Sequence, residues 1–199
     1  MQYKNIIKKE NIDIIFTSLA DQYKKAGGTE KISIFIVGGA AIVINFNYRY
    51  STIDIDALYK ENKLIEESIK AVAKSLELPI DWLNHDFEKT PSYSPALLKK
   101  SILYKEYLNL IIVYTLEPKY LIAMKLKSSR PTGGDLDDII KMIYESRYRN
   151  DPLTYEDVIK AYKELYSDFS NTYDYFLIKA KEAFETPKED FEYLFKRDF

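Results

Sequence analysis

Two aspartates and two glycines are the residues of this chain whose types and spacing indicate chemistry. Asp54 and Asp56 alternate with isoleucines, and Gly38-Gly39 ends an apolar run fifteen residues before the first aspartate. Side chains two residues apart on a strand point the same way, with Cα atoms about 6 to 7 Å apart. Two ionised carboxylates so placed repel each other and favour a divalent cation such as Mg²⁺, which keeps positions for water and a phosphate. The glycines would offer backbone N–H groups at a helix start, where a phosphate can approach.

Each of these motifs also has a purely structural explanation. A strand with one solvated face gives Asp-Ile-Asp, and Gly-Gly by itself is a turn. The order strand, Gly-Gly, helix, Asp-x-Asp strand favours the functional interpretation. No Walker lysine follows Gly39, which excludes a P-loop and a dinucleotide-binding turn.

Composition narrows the classes of protein further. The 199 residues carry 29 basic and 31 acidic side chains, so the formal charge of −2 gives no global attraction to nucleic acid or to an anionic membrane. Cysteine is absent and His85 is the only histidine, which excludes thiolate zinc sites, cysteine nucleophiles and histidine triads. With no secretory or membrane-spanning segment recognised, we expect a cytoplasmic protein without membrane partners.

The elements that must position these residues can be read from periodicity. Residues 5–24 have a helical stripe, residues 32–37 form a buried strand, and the glycine pair turns that strand directly into a helix ending near residues 45–47. Residues 51–59 alternate as a strand and residues 61–76 form a helix. One or two more strands follow at 101–104 and 108–114, joined by the polar pair Lys105-Glu106.

From Pro118 onward the apolar period is that of helices. The predicted helices cover residues 118–128, 135–148, 154–167, 171–184 and 188–197. The fold class is therefore α/β (α+β): a small mixed sheet flanked by helices, then an all-helical C-terminal subdomain. We expect the α/β domain over residues 1–116 and the helical subdomain over 117–199.

At these residues the sequence resembles a known family. Three segments carry the resemblance: Val37-Gly38-Gly39-Ala40-Ala41 with Arg49, Ser51-Thr52 and Asp54-Ile55-Asp56; Leu78-Pro79-Ile80-Asp81-Trp82-Leu83-Asn84; and Leu116 to Leu126 with Arg130, Asp135 and Asp138. They are similar to the nucleotidyltransferase fold, in the branch that includes abortive-infection-type toxins and related uncharacterised bacterial proteins. The resemblance covers about residues 33 to 143.

The resemblance implies a role for each matching residue. Asp54 and Asp56 would hold Mg²⁺ or Mn²⁺, and Lys125 would reach a phosphate or help to orient the carboxylates. The residues implied to contact the nucleoside triphosphate are Gly38, Gly39, Thr52, Arg130, Asp135 and Asp138. For Arg130, Asp135 and Asp138, helix capping with an internal ion pair is an equal alternative.

One expected feature of the family is absent from the sequence. Many active members have a third carboxylate on a later strand, where this chain has Asn109 and no acid; Asp81 and Asp86 are substitutes that we do not rank. The implied function is a metal-dependent transfer of a nucleoside monophosphate from an NTP to a hydroxyl on RNA (tRNA) or protein. The protein would be the toxin of a toxin–antitoxin or phage-defence system, with a cognate antitoxin as partner. The alternative is a degenerate member that binds a nucleotide or a partner protein without catalysis.

Other conspicuous residues are assigned to structure. The 18 tyrosines and 10 phenylalanines fall mostly at helical spacing among apolar neighbours, where packing in the core is the default. His85 is predicted to lie in a loop, and Trp82 to anchor the strand-to-loop region. Arg147, Arg149 and Lys141 are assigned to a solvated helix end in preference to an RNA contact.

Overall fold

A computed structural model of the chain describes residues 6–147, 149–150, 152–170, 172–187 and 189–190. The chain folds into two compact units. The sheet unit is Met1–Thr90 with Leu97–Glu117, and the helical unit is Pro91–Ala96 with Pro118–Phe199.

The sheet unit combines helices with short strands. In chain order it contains β1 (Ile7–Lys8), α1 (Lys9–Lys25), β2 (Ile32–Ile36), α2 (Gly38–Asn45), β3 (Ser51–Thr52), β4 (Ile55–Tyr59), α3 (Lys63–Ser75), β5 (Leu83–Asn84), β6 (Ser101–Tyr107) and β7 (Ile111–Leu116). Two 3-10 helices, Asp86–Lys89 and Pro95–Lys100, precede β6.

Five strands form one mixed sheet in the order β5-β4-β2-β7-β6, and β1 pairs with β3 in a separate ribbon. Strand β2 is antiparallel to β4, with Phe35 opposite Leu58, and parallel to β7, with Phe35 beside Tyr114. Strand β5 runs parallel to β4 and brings Asn84 beside Asp56. The small mixed sheet, with helices over the C-terminal part of the chain, confirms the predicted fold class.

One face of this sheet is the hydrophobic core. The alternate positions Ile34, Ile36 and Ile55 are completely buried, because side chains two apart on a strand share a face. Helices α1 and α3 contribute to the same core: the Phe16 ring packs against the Trp82 and Tyr107 rings. The Trp82 indole N–H donates to the carbonyl of Ile69 at 3.1 Å, which confirms its predicted role as an anchor.

The opposite face, here called the aspartate face, is only partly covered. Its partly exposed members are Ser33, Phe35, Asp56, Ile112 and Tyr114. Ser33 and Phe35 lie beside Ile112 and Tyr114 in the parallel register, so these four share a face. Phe35 is also opposite Leu58, and Asp56 shares that face because it lies two residues before Leu58. The C-terminal end of helix α2 is fixed to the sheet by a hydrogen bond: the Asn45 amide donates to the Thr115 hydroxyl at 2.7 Å.

Two strand predictions are wrong in detail. The predicted strand 51–59 is split by a bend at Ile53, which is 65% exposed, so that β3 pairs with β1 and only β4 joins the main sheet. The predicted connection at Lys105-Glu106 lies inside β6, an edge strand on which charged side chains stay solvated. The turn instead lies at Leu108 and Asn109, whose φ angles are +48° and +58°.

The helical unit contains α4 (Pro118–Ser128), α5 (Asp135–Ser146), α6 (Tyr155–Leu165) and α7 (Asp174–Glu185). These helices confirm four of the five predicted, and the fifth, residues 188–197, falls almost wholly outside the described residues. The rings of Tyr162 and Phe169 stack at 4.4 Å inside this unit, as core packing requires. Within the described ranges, none of the helices has the length and apolar character that a membrane crossing needs.

The basic residues near the end of α5 have structural partners. The Arg147 guanidinium donates to the carbonyls of Thr186, Ala183 and Phe184 at the C-terminal end of α7. Lys141 pairs with Asp137 at 3.0 Å, one turn earlier on α5. Arg147 thus satisfies carbonyl groups that a helix end leaves without partners.

Candidate functional site

The carboxylate of Asp56 lies against the first residue of α2. A Cβ atom built on Gly38 would be 2.7 Å from Asp56 Oδ2, and Gly38 has a φ of +61°. The backbone N–H of Val37 donates to the carbonyl of Asp56 at 2.9 Å, which holds the end of β2 beside the start of β4. Only glycine combines this backbone conformation with this closeness to a carboxylate.

The second glycine, Gly39, leaves space for the side chain of Arg49. A Cβ on Gly39 would lie 2.9 Å from Arg49 Nη2 and 3.2 Å from the hydroxyl oxygen of Thr52. The Arg49 Nε–H donates to the Ser51 carbonyl at 3.4 Å. The guanidinium group and the Thr52 hydroxyl therefore both lie at the first turn of α2.

Ribbon β1–β3 places Thr52 and Asp54. Thr52 pairs with Ile7 and is only 8% exposed. Its hydroxyl donates to Asp54 Oδ1 at 3.5 Å, a long contact. Asp54 precedes β4 instead of lying within a continuous strand, so its orientation follows from the bend at Ile53 and not from strand alternation.

These residues fit a divalent cation carried by a phosphate ligand. Asp54 and Asp56 supply hard carboxylate oxygens, and Mg²⁺ or Mn²⁺ commonly takes one or two protein carboxylates together with water and substrate phosphate. The backbone at the start of α2 and the Arg49 guanidinium are complementary to phosphate charge. Asp56 beside Gly38 and Arg49 beside Gly39 thus place metal-binding and phosphate-binding chemistry on adjacent residues.

The strand neighbour of Asp56 on β5 carries an amide and not a carboxylate. Asn84 is the strand partner of Asp56, but its Oδ1 accepts from the Asp86 N–H at 2.9 Å and its Nδ2 donates to the Asp81 carbonyl at 3.2 Å. Asn109 lies at the N-terminal end of β7, and the parallel register puts that end beside the start of β2, away from Gly38. Over the described ranges, no group of three or more histidine, aspartate or glutamate side chains could hold a metal ion.

The remaining predicted residues form a cluster in the helical unit. Lys125 Nζ lies 2.7 Å from Asp135 Oδ1 and 2.9 Å from Asp138 Oδ2, and Lys125 is only 5% exposed. Arg130 donates to both oxygens of Asp135 at 2.9 Å from its guanidinium, and to Oδ2 at 3.1 Å from its backbone N–H. This cluster joins the end of α4 to the start of α5 across the turn that ends at Gly134.

The charge of Asp135 is stabilised by these partners. Its burial alone would raise the pKa of the carboxyl, but the Arg130 hydrogen bonds and the Lys125 charge hold that pKa well below its ordinary value. The internal ion pair, one of the two explanations left open by the sequence, is therefore present. A part for Lys125, Arg130, Asp135 and Asp138 in nucleotide binding stays a prediction.

Arg49 is the residue whose part in the site the sequence did not indicate. It belongs to the quoted motif, but it lies ten residues after Gly39 in a segment without regular structure, and only the fold places it over that glycine. The signal that the sequence offered was its place in the motif with Thr52 and Asp54, which by itself indicates no contact.

Comparison with known protein families matches most of the chain. Residues 15–189 match the family model described as "Nucleotidyltransferase of unknown function (DUF6036)". No curated protein and no solved structure matches the chain.

Proposed function

The chain belongs to the family of nucleotidyltransferases of unknown function DUF6036, and we propose that it is an active, metal-dependent member that transfers a nucleoside monophosphate from an NTP to an acceptor hydroxyl. The observation that carries this proposal is the Asp56 carboxylate against Gly38 at the start of α2, with Arg49 over the neighbouring glycine. A triphosphate with its metal requires carboxylates that bind the metal. It also requires a positively charged side chain and backbone N–H groups that bind the phosphates.

In this proposal the chain acts mainly by positioning and electrostatics. Backbone N–H groups at Gly38 and Gly39, with the Thr52 hydroxyl and the Arg49 guanidinium, hold the triphosphate oxygens. Asp54 and Asp56 would hold Mg²⁺ or Mn²⁺, which when bound neutralises charge on the phosphates. The acceptor hydroxyl gives its proton to solvent as its oxygen bonds to the α-phosphorus, and the bond from that phosphorus to pyrophosphate breaks with the electron pair leaving on pyrophosphate. In-line alignment supplies much of the acceleration.

The buried cluster is held together by its own ion pairs. Lys125 contacts both Asp135 and Asp138 and orients those two carboxylates. The two roles that the resemblance implies for Lys125, reaching a phosphate or orienting Asp54 and Asp56, remain part of the proposal. Arg130, whose side chain is 62% exposed, is the member of this cluster best placed to meet a phosphate from solvent.

The direct test is a transfer assay. NTPs labelled at the α-phosphate, Mg²⁺ or Mn²⁺, and either bulk tRNA or a protein extract should yield labelled acceptor and free pyrophosphate. The double variant Asp54→Ala with Asp56→Ala should abolish both products. Asp21→Ala, which removes a carboxylate 43% exposed on α1, is the matched control and should leave transfer unchanged. Full transfer by the double variant would contradict the proposal.

A biological role as a toxin rests on the resemblance alone. It predicts that expression in the bacterial cytoplasm stops growth, that the double aspartate variant does not, and that a neighbouring gene encodes an antitoxin that restores growth. Equal growth with wild type and double variant would contradict the toxin role without touching the chemistry.

One observation favours a second function, binding without catalysis. Asp56 has an amide, Asn84, as its strand neighbour, and that amide already bonds to backbone groups on both sides. A site with two carboxylates can still bind a metal–nucleotide complex. Calorimetric binding of Mg²⁺ with an NTP, and no pyrophosphate release with any acceptor, would select this alternative.

A further inference from the structure

Two aromatic rings stack in the middle of the main sheet. Phe35 on β2 and Tyr114 on β7 are direct partners in the parallel register. Their ring centroids are 4.7 Å apart and the ring planes differ by 12°. Strands β2 and β7 are interior strands of the sheet, yet both rings are partly exposed whereas Ile34 and Val113 beside them are fully buried.

The stacked rings lie on the same face as Asp56. Phe35 is opposite Leu58 in the antiparallel pair β2–β4, and directly opposite residues project from the same face. Asp56 lies two residues before Leu58 and shares that face. The aspartate face therefore carries a carboxylate of the candidate site at one end of the strands and an aromatic pair next to it.

The spacing matches one nucleotide. From Asp56, Phe35 lies two residues along the strand and one strand across, which places their Cα atoms about 8 Å apart. Tyr114 lies one strand further. A nucleotide whose phosphates contact Gly38, Gly39 and the aspartates has its base one sugar away, and strand geometry puts Phe35 at a comparable distance from Asp56.

We propose that the Phe35–Tyr114 pair is the surface on which the base of the bound nucleotide stacks, an inference that rests on the proposed function. Aromatic rings stack on any base, because every base has a π face. Ser33 and Ile112, the next pair along β2 and β7 on this face, are partly exposed as well. They form the edge of this surface on the side away from Asp56. With no charged group among these four residues, the surface selects weakly between bases and favours the larger purines.

The experiment compares a ligand that has a base with one that has none. Calorimetry measures the affinity of the full chain for Mg²⁺ with the tightest-binding NTP, and for Mg²⁺ with inorganic tripolyphosphate. Phe35→Leu and Tyr114→Leu should weaken NTP binding by about 5- to 20-fold, the loss of one stacking contact. Tripolyphosphate affinity should not change. Tyr114→Phe, which keeps the ring, should retain more NTP affinity than Tyr114→Leu. Tyr175→Leu, which removes an exposed ring on α7, is the control and should bind both ligands as wild type does.

The outcomes separate this inference from the function on which it rests. Wild-type protein that binds neither ligand defeats the proposed function. If the wild-type protein binds both ligands and the leucine variants keep full NTP affinity, the stacking surface is contradicted and the proposed function is not. The same holds if the leucine variants lose affinity for both ligands equally. If the leucine variants do not fold, NMR of the wild-type complex decides: base protons shifted upfield by ring currents support the inference, and unshifted base protons overturn it.

Discussion

The carboxylate of Asp56 occupies the space where any side chain at position 38 would lie: a Cβ on Gly38 would be 2.7 Å from Asp56 Oδ2. The two residues come from β4 and from the first position of α2, so this contact fixes where the carboxylate stands relative to the helix start. Because the carboxylate is the end of a side chain, it can rotate away from an added methyl group. A substitution at position 38 should therefore affect ligand binding more than folding.

Gly38→Ala should weaken binding of Mg²⁺ with an NTP by at least about tenfold, because Asp56 must leave its position. The same substitution should lower the free energy of unfolding by about 1–2 kcal/mol, because alanine is strained at a φ of +61°. Calorimetry and urea unfolding measure the two effects on the same protein.

The matched control is Gly27→Ala. Gly27 also lies in the sheet unit with a positive φ of +92°, but a Cβ there meets no atom within 4 Å. It should lose a similar 1–2 kcal/mol of unfolding free energy from backbone strain and keep full NTP affinity. Equal affinities of the two variants would show that the contact between Gly38 and Asp56 has no part in the site.

The turn from strand to helix at Gly38-Gly39 was predictable from sequence, because an apolar β-branched run stops at two glycines and continues with alanines. The break between β3 and β4 was not, because Ile53 and Asp54 continue the alternation of residues 51–59. Only the pairing of Thr52 with Ile7 shows that the first part of that segment belongs to a separate ribbon.

The composition of the site was predictable only where contact follows from local spacing. Arg130 and Asp135 are five residues apart, across a turn, and an internal ion pair among Arg130, Asp135 and Asp138 was one of the two explanations that the sequence left open. Arg49 over Gly39 and the ring of Phe35 beside Tyr114 depend on loop path and on strand register. Apart from Ser33 the run 32–37 is apolar, so its periodicity did not show that Phe35 lies on the partly exposed face.

Asp135→Asn should be one of the most destabilising single substitutions in the helical unit. Asp135 is completely buried and contacts both Lys125 and Arg130. Removing one partner of a buried pair costs about 3–5 kcal/mol, and because Asp138 still pairs with Lys125 we expect about 3 kcal/mol. Asp137→Asn, on the same helix with a side chain 63% exposed, is the control and should change the free energy of unfolding by less than about 0.5 kcal/mol. Urea unfolding followed by circular dichroism checks both, and similar losses would contradict the buried-pair argument.

The stabilisation from Asp135 should disappear in acid. In the folded chain its pKa lies well below the ordinary value of 3.8, because Arg130 and Lys125 outweigh the effect of burial. Below about pH 4 the unfolded chain therefore binds more protons than the folded chain, and stability falls as the pH falls. The difference in unfolding free energy between wild type and Asp135→Asn should be constant above about pH 5 and shrink below pH 4. A difference that does not change between pH 6 and pH 3 would contradict this assignment.

Arg49→Gln should weaken the binding of the phosphates regardless of the base. The Arg49 guanidinium lies at the first turn of α2 beside Gly39 and Thr52, and hydrogen bonds to a charged group contribute about 1.5–3 kcal/mol. Affinity for Mg²⁺ with an NTP and for Mg²⁺ with tripolyphosphate should thus both fall by about 10- to 100-fold, unlike the effect of the Phe35 and Tyr114 variants. Arg49→Lys should restore part of the affinity, since it keeps the charge but not the planar fork.

The control is Lys31→Gln, which removes a cation paired with Glu106 beyond the other end of β2. It should leave both affinities unchanged. Loss of NTP affinity alone, or equal losses in the Arg49 and Lys31 variants, would contradict a direct contact between Arg49 and the triphosphate.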